Sequence, residues 1–251
     1  MENINNQLTI SLVVLNGAKY LPLFFESLKK QTFQNFNLIF LDNASTDNSL
    51  KIGVDNSVWL GNRIKIISEK ENKGFAGGHN EVFNITNSDY FLIINDDIYL
   101  EENVLARMVD FLNNNQNAGA VAPRLNRWDF VSGKLTDEVD SLGLKVFRNR
   151  RAIDKKDNNV FLKQNFQQVF GVSGACAMYR RTAILNVGGL FDNDYFLYKE
   201  DVDLAYRLTQ AGWESFVLLD ILAWHDRTGQ SDHAKPIRLE EHTSELQSHH
   251  P

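Results

Sequence analysis

Residues 90–97 read YFLIINDD. Five aromatic and aliphatic residues run without a break and then stop in Asn95-Asp96-Asp97. An apolar run this short, bounded by polar residues, reads as a buried strand. In α/β proteins the carboxyl ends of the strands form the rim where ligands bind. Adjacent carboxylates on that rim repel each other unless a cation or solvent offsets their charge. Such oxygens suit a divalent cation, and a bound cation can in turn hold a phosphate. The plain alternative is a solvated turn that caps the helix starting near Glu101.

Working outward, the same pattern recurs. Strands are expected at 8–15 (LTISLVVL), 36–41 (FNLIFL), 63–68 (RIKIIS) and 118–122 (AGAVA), the last stopped by Pro123. Helices are expected at 20–30, 48–58, after the glycines of 72–80, and at 101–113, each with apolar residues at helical spacing. Ser45 or Thr46 is the expected N-cap of the second helix. Strands alternating with helices imply βαβ units and a mainly parallel sheet, with right-handed crossovers bringing the strand ends to one rim. Residues 124–168 are weakly periodic and basic at Arg148, Arg150, Arg151, Lys155 and Lys156. They read as loops with a hairpin laid over the site. Residues 169–179 are strand-like, 180–187 a short helix stopped by Gly188-Gly189, and 200–211 a helix closed by Gly212 as its C′ residue. A last strand spans 213–219, with Trp224-His225 after it. The reading is one α/β, Rossmann-like domain over 1–237.

Composition agrees with a globular enzyme-sized domain. The 251 residues are 43% hydrophobic and 23% charged, with seventeen Phe and four Trp to fill a core. A net charge of −6 argues against a broad nucleic-acid face. The single cysteine, Cys176, excludes an internal disulfide and reads as a small packing residue. The N-terminal residues lack a signal-peptide pattern, and no apolar run reaches membrane-spanning length. A cytoplasmic protein is expected, with peripheral contact at the inner face of a membrane left open. Residues 238–251 (RLEEHTSELQSHHP) have no structural periodicity, and EEHTSELQS matches a translated sequencing adapter. They are set aside as a non-native tail, with the native chain expected to continue past Ile237.

Four polar signals carry the chemistry. Asp42 ends the second strand and heads DNASTD; it can accept a hydrogen bond from a ring N–H or a ribose, or simply start an Asx turn. NKGFAGGHN (72–80) allows close backbone approach to a phosphate at a helix start, yet matches neither the P-loop nor the GxGxxG pattern. His79 within it is expected on the helix surface. Glu200-Asp201-x-Asp203 opens a helix after an aromatic segment, 195–198. Carboxylates there can cap the helix, while aromatic shielding would keep one basic enough to take a hydroxyl proton. Asp203 is expected to be structural. His225 is a suitable ligand for Mg²⁺ or Mn²⁺ beside a carboxylate, although a lone histidine is more often a packing residue.

Taken together and in order, these elements are similar to family 2 glycosyltransferases of the GT-A fold, in their rhamnosyltransferase-like branch. The matching segments are QTFQNFNLIFLDNASTDNS, NKGFAGGHN, the strand-end NDD, VSGACAMYRR, GGLFDNDYFLYKEDVDLAYRLTQAGW, and the terminal WH with GQS. The resemblance implies that Asp42, Asn72, Gly74, Gly78 and Asn80 hold the nucleoside of the donor. NDD takes the place of the family's DxD motif. Asp97 would bind the divalent cation, Mg²⁺ or Mn²⁺, while Asn95 and Asp96 bind ribose or shape the turn. His225 would join the metal, Asp201 would be the catalytic base, and Gly174 with Glu200 would line the sugar site. Two departures stand out. About two residues are missing after Leu15, where the family has its Pro/Asn-x-Tyr-Asn segment, and the DxD position begins with Asn95.

The sequence therefore points to an inverting, metal-dependent transferase. Its expected donor is dTDP-rhamnose or else a UDP-sugar, and its acceptor a cell-surface glycan, free or lipid-linked. The rivals are a catalytically inactive nucleotide-sugar-binding module and a sugar-nucleotide pyrophosphorylase. The second should carry an N-terminal Gly-rich loop with a basic residue, which 8–20 does not supply.

Overall fold

A computed structural model of the chain describes residues 7–148, 151–156 and 165–226. Arg150, the GQS segment and the 238–251 tail lie outside the described residues.

The strands are β1 (Leu8–Val14), β2 (Phe36–Asp42), β3 (Ile64–Ser68), β4 (Tyr90–Ile94), β5 (Ile98–Leu100), β6 (Ala118–Asp129), β7 (Lys134–Ser141), β8 (Leu144–Val146), β9 (Ala152–Asp154), β10 (Phe166–Val169), β11 (Cys176–Arg180) and β12 (Glu214–His225). The helices are α1 (Leu21–Lys29), α2 (Ser49–Leu60), α3 (Gly74–Asn84), α4 (Val104–Asn114), α5 (Arg181–Asn186) and α6 (Glu200–Gln210). None is long and apolar enough to cross a membrane, among the described residues.

The main sheet runs β10-β12-β6-β11-β4-β1-β2-β3, with β5 added on β12 and β7 on β6. Following the pairings, β1, β2, β3, β4, β6 and β12 all point one way, and β11 is inserted antiparallel between β4 and β6. This is the mainly parallel sheet expected from the βα alternation. It places the ends of β1, β2, β4 and β12 on one rim.

Strand alternation divides the core into two layers. Leu8, Ile10, Leu12 and Leu92 face α1, α2 and α4, whose Phe24, Leu28, Leu60 and Met108 pack there. Ile39, Leu41, Phe91 and Ile93 face the other way, toward Val82 and Phe83 of α3, Ile184 of α5 and Leu204 of α6. Each such fully buried side chain contributes about 1.5–3 kcal/mol of transfer free energy. Gly212 (φ 83) ends α6 as expected: its N–H bonds to Thr209 O, and Trp213 N–H to Leu208 O, satisfying the last carbonyls.

Several boundaries differ from the sequence reading. β6 does not stop at Pro123 but continues to Asp129. Pro123 sits opposite Leu218, where the β6–β12 register slips to Arg124 opposite Leu222, and an irregular site of this kind tolerates a residue without an N–H. β12 runs on through Trp224 and His225, because β6 continues beside it. Residues 169–179 are not one strand: β10 and β11 are separated by a turn carrying Gly171 and Gly174. The second helix begins at Ser49, and neither Ser45 nor Thr46 caps it. Their hydroxyls instead meet the first loop, Ser45 accepting from Asn16 N and Thr46 donating to Asn16 Oδ1. β5 intervenes before α4, which starts at Val104 rather than Glu101. Residues 124–168 hold more order than expected. β7 folds back on β6, and β8 pairs with β9 as a separate hairpin.

Candidate active site

The shared rim opens on a cavity of about 480 Å³, within the usual range for small-molecule sites. Asn72, Gly74, Asn95, Asp96, Asp97, Gly174, Glu200, Asp201 and His225 all line it. These residues come from five separate stretches of sequence, so the sheet topology alone brings them together.

Three of the expected residues lie off the cavity wall. Gly78 packs α3 against β1: a Cβ there would stand 2.7 Å from Val13 Cγ1. Asn80 turns to the 190s segment, donating to Phe191 O at 2.9 Å and accepting from Phe191 N at 3.0 Å. Asp42 is 2% exposed; its Oδ2 accepts from Ser45 N at 3.3 Å, and its Oδ1 is buried without a hydrogen-bond partner. His79 is not on the surface. It is fully buried with Nδ1 2.7 Å from Ser11 Oγ, and burial lowers its pKa to about 3, leaving the ring neutral. It lies one helical turn beyond Phe75, and its ring packs against both Phe75 and Phe191.

One residue overlooked in the sequence stands where a nucleoside-holding residue was sought. Asn43 lines the cavity and ties two loops together. Its amide donates to Asn72 Oδ1 and Gly74 O, and its Oδ1 accepts from Lys73 N. Gly74 takes φ 72, and a Cβ there would overlap Phe196 O, so only glycine lets the 195–198 segment lie this close.

At the end of β4, Asp96 reaches beneath the first loop, where a Cβ on Gly17 would overlap its Oδ2. Burial and the neighbouring Asp97 carboxylate push the Asp96 pKa up to about 7. Asp97 Oδ1 is buried without a hydrogen-bond partner and stands 3.4 Å from His225 Nε2. On its other side His225 Nδ1 is 2.9 Å from Asp140 Oδ2. Burial alone would drive this imidazole neutral; the Asp140 and Asp97 carboxylates outweigh it and raise its pKa to about 9.

These residues fit a divalent cation. An unpartnered carboxylate oxygen faces an imidazole nitrogen, and two donors set at right angles around one ion at about 2.1 Å stand about 3 Å apart. Among the described residues no third His, Cys, Asp or Glu completes a closed metal site. Such an open donor set leaves positions for phosphate oxygens and water, as is usual for Mg²⁺.

Asp201 opens α6 and lines the same cavity. Its Oδ2 accepts from Gly174 N at 3.3 Å and its Oδ1 from Val202 N at 2.8 Å. Burial raises its pKa despite these two bonds. Glu200, 6% exposed with Oε2 unpartnered, is pushed to about 7 by burial and by Asp201. The preceding residues Tyr198 and Lys199 both take positive φ (70 and 74), which turns the chain sharply into α6. Phe196, Leu197 and Tyr198 form the cavity lip and are about half exposed, at 57, 49 and 48%. Asp203 is structural, paired with Arg207 at 2.8 Å.

The sequence model for glycosyl transferase family 2 matches residues 9–188. The chain belongs to glycosyl transferase family 2. Among relatives of this family 2 chain is an N-acetylglucosaminyl-diphospho-decaprenol L-rhamnosyltransferase of Mycobacterium tuberculosis, 25% identical over 226 residues, covering 83% of this chain and 72% of the relative. Glycosyltransferase GlyG of Streptococcus pneumoniae is 26% identical over 170 residues, covering 64% of this chain but 56% of the relative. Among solved structures, GalNAc-T7 with UDP, GalNAc and Mn²⁺ superposes with a TM-score of 0.72 at 13% identity, over 87% of this chain and 43% of that one. The mannosyltransferase PcManGT of Pyrobaculum calidifontis, in complex with GDP-Man and Mn²⁺, gives 0.66 at 17% identity, over 91% and 59%. The fold of the family 2 chain is therefore GT-A. The chain spans little more than half the length of the pneumococcal relative and of PcManGT.

Proposed function

We propose that the protein is an inverting, metal-dependent glycosyltransferase that moves a sugar from a nucleoside diphosphate to an acceptor hydroxyl. The observation that carries this reading is that Asp97 and His225 line one cavity with the shielded carboxylate of Asp201. Asn43, Asn72 and Gly74 would hold the nucleoside, with Asn95 and Asp96 at the ribose. Asp97 and His225 would hold Mg²⁺ or Mn²⁺, which when bound would neutralise charge on the diphosphate leaving group. Gly174 and Glu200 would line the sugar site.

In the reaction the acceptor oxygen bonds to the anomeric carbon as the bond from that carbon to the diphosphate oxygen breaks. The bonding pair leaves with the nucleoside diphosphate, and the hydroxyl proton passes to Asp201. Burial suits Asp201 to this role, because a raised pKa makes it a stronger base than an exposed aspartate. The mycobacterial relative, an L-rhamnosyltransferase acting on N-acetylglucosaminyl-diphospho-decaprenol, supports rhamnose as the sugar and a lipid-linked glycan as the acceptor, and dTDP-rhamnose is the donor proposed for that sugar. The UDP in the GalNAc-T7 structure supports a UDP-sugar as the second choice.

Screening nucleotide sugars for thermal stabilisation with and without Mn²⁺ would find the donor, since a bound ligand raises apparent stability by mass action. Turnover of that donor is then compared between wild type, Asp201→Asn and Asp97→Ala. The reading expects Asp201→Asn to bind the donor and lose turnover, and Asp97→Ala to lose metal-dependent binding. Donor binding without turnover in the wild-type chain would instead favour a binding module.

A further inference from the structure

Asp140 belongs to none of the motifs that mark the site. It sits near the end of β7, in the arm folded back on β6, and is fully buried. Its Oδ2 is 2.9 Å from His225 Nδ1, and its Oδ1 is 3.4 Å from Lys156 Nζ. A carboxylate flanked by an ammonium and an imidazole acts as acceptor to both. Nδ1 of His225 therefore carries a hydrogen and donates it. The nitrogen left to face the cavity is Nε2, which stands 3.4 Å from Asp97 Oδ1.

The Lys156 side of this arrangement is itself braced. Leu142 N donates to Lys155 O at 2.8 Å, and Lys155 N to Gly143 O at 2.7 Å. The segment following β9 is thus stitched to the turn that follows β7, which holds Lys156 beside Asp140. An imidazole held at one nitrogen by a carboxylate has its tautomer and ring plane set, and its other nitrogen becomes a better donor to a metal.

We propose that Asp140 is a positioning residue of the metal site. It fixes His225 as the Nδ1–H tautomer and aims the Nε2 lone pair at the cation shared with Asp97. The inference rests on the assignment of Asp97 and His225 as metal ligands, and it makes the β7 arm part of the site.

The test uses the full chain with Mn²⁺ alone as the probe. Mn²⁺ affinity is read by electron paramagnetic resonance, and the His225 tautomer by ¹⁵N NMR of the metal-free protein at a pH above the imidazole's pKa of about 9, where the ring is neutral. Asp140→Ala should weaken Mn²⁺ binding by about 10–100-fold and release His225 from the pure Nδ1–H form. Asp140→Asn, whose amide oxygen can still accept from Nδ1–H, should keep the tautomer yet weaken Mn²⁺ binding through loss of charge. It also carries the test if the alanine variant does not fold. Unchanged tautomer in Asp140→Ala, or Mn²⁺ affinity within about twofold of wild type in either variant, would overturn the proposal. His225→Ala separates the two levels. If that variant binds Mn²⁺ like wild type, the ligand assignment is wrong, while the NMR result still judges the contact between Asp140 and His225.

Discussion

Tyr20 Oη donates a 2.8 Å hydrogen bond to Asp226 Oδ2, joining the first loop to the residue after His225. Asp226 N in turn donates to Asp97 O at 3.1 Å. The three segments that frame the candidate metal pair are therefore tied to one another through Asp226. Burial, followed by the Asp226 contact, raises the phenol's pKa, so it remains a donor throughout the working pH range.

Tyr20→Phe deletes that donor and keeps the ring packing against Phe130. Breaking a buried hydrogen bond to a charged group costs about 1–3 kcal/mol. For a chain of this size the expected fall in Tm is about 2–4 °C per kcal/mol. Differential scanning calorimetry measures the fall, and the same sample should bind Mn²⁺ more weakly. A variant as stable as wild type would mean that the latch contributes nothing to the frame.

The base assigned to Asp201 leads to a prediction about pH. Its pKa is raised mainly by burial, so the deprotonated, active form is lost on acidification at a higher pH than for an exposed aspartate. The acid limb of kcat/KM against pH should therefore lie above the ordinary aspartate range. Asp201→Asn should lower the rate by about 10²–10⁴-fold and remove that limb. An acid limb that survives in Asp201→Asn would assign the titration to another group.

Much of this arrangement could be read along the chain, because its signals are local. The run Tyr90–Ile94 followed by Asn-Asp-Asp, and the carboxylates opening α6, declare themselves within a few residues. The misreadings have a common cause in distant partners. Pro123 reads as a stop until the slipped register against Leu218 is known. His79 reads as surface until Ser11 of β1 is placed against it. Asn80 shares a loop with the cavity residues, yet its amide is claimed by Phe191, more than a hundred residues away. Asn43 hides behind the more eye-catching Asp42, although it is Asn43 that faces the cavity. Asp140 carries no local pattern, since its partner is set only by β6 pairing with both β7 and β12.

Stability of the metal-free chain should fall as pH rises from about 4 to 8. Asp96 and Glu200 each have a pKa of about 7 in the folded chain, against ordinary values of 3.8 and 4.5. At these two sites the folded state binds protons more tightly than the unfolded one; His225, raised to about 9, adds to the fall above its ordinary pKa of 6.5, while His79, lowered to about 3, offsets part of it below 6.5. The stability contributed by the two carboxyls is greatest below their unfolded pKa values and declines as pH passes toward 7, where each carboxyl must ionise in place. Mn²⁺ should reverse part of that loss at pH 8 by offsetting charge at Asp96 and Asp97 and by binding only the folded state. Urea unfolding at pH 5 and pH 8, with and without Mn²⁺, reads both effects. Equal metal-free stability at the two pH values would rule out the buried-carboxylate account.

The passage of β12 through Trp224 to His225 also sets a timetable for synthesis. Asp97 leaves the ribosome roughly 130 residues before His225, a delay of roughly 6 to 26 seconds at ordinary elongation rates. During that interval the newborn chain can hold β1, β2, β3 and β4 together and add β6 through β11, while β5 waits for β12, the strand that pairs with it. The candidate pocket and the histidine half of its proposed metal pair are thus completed by one late docking event, which keeps a half-made polypeptide from assembling the full pair.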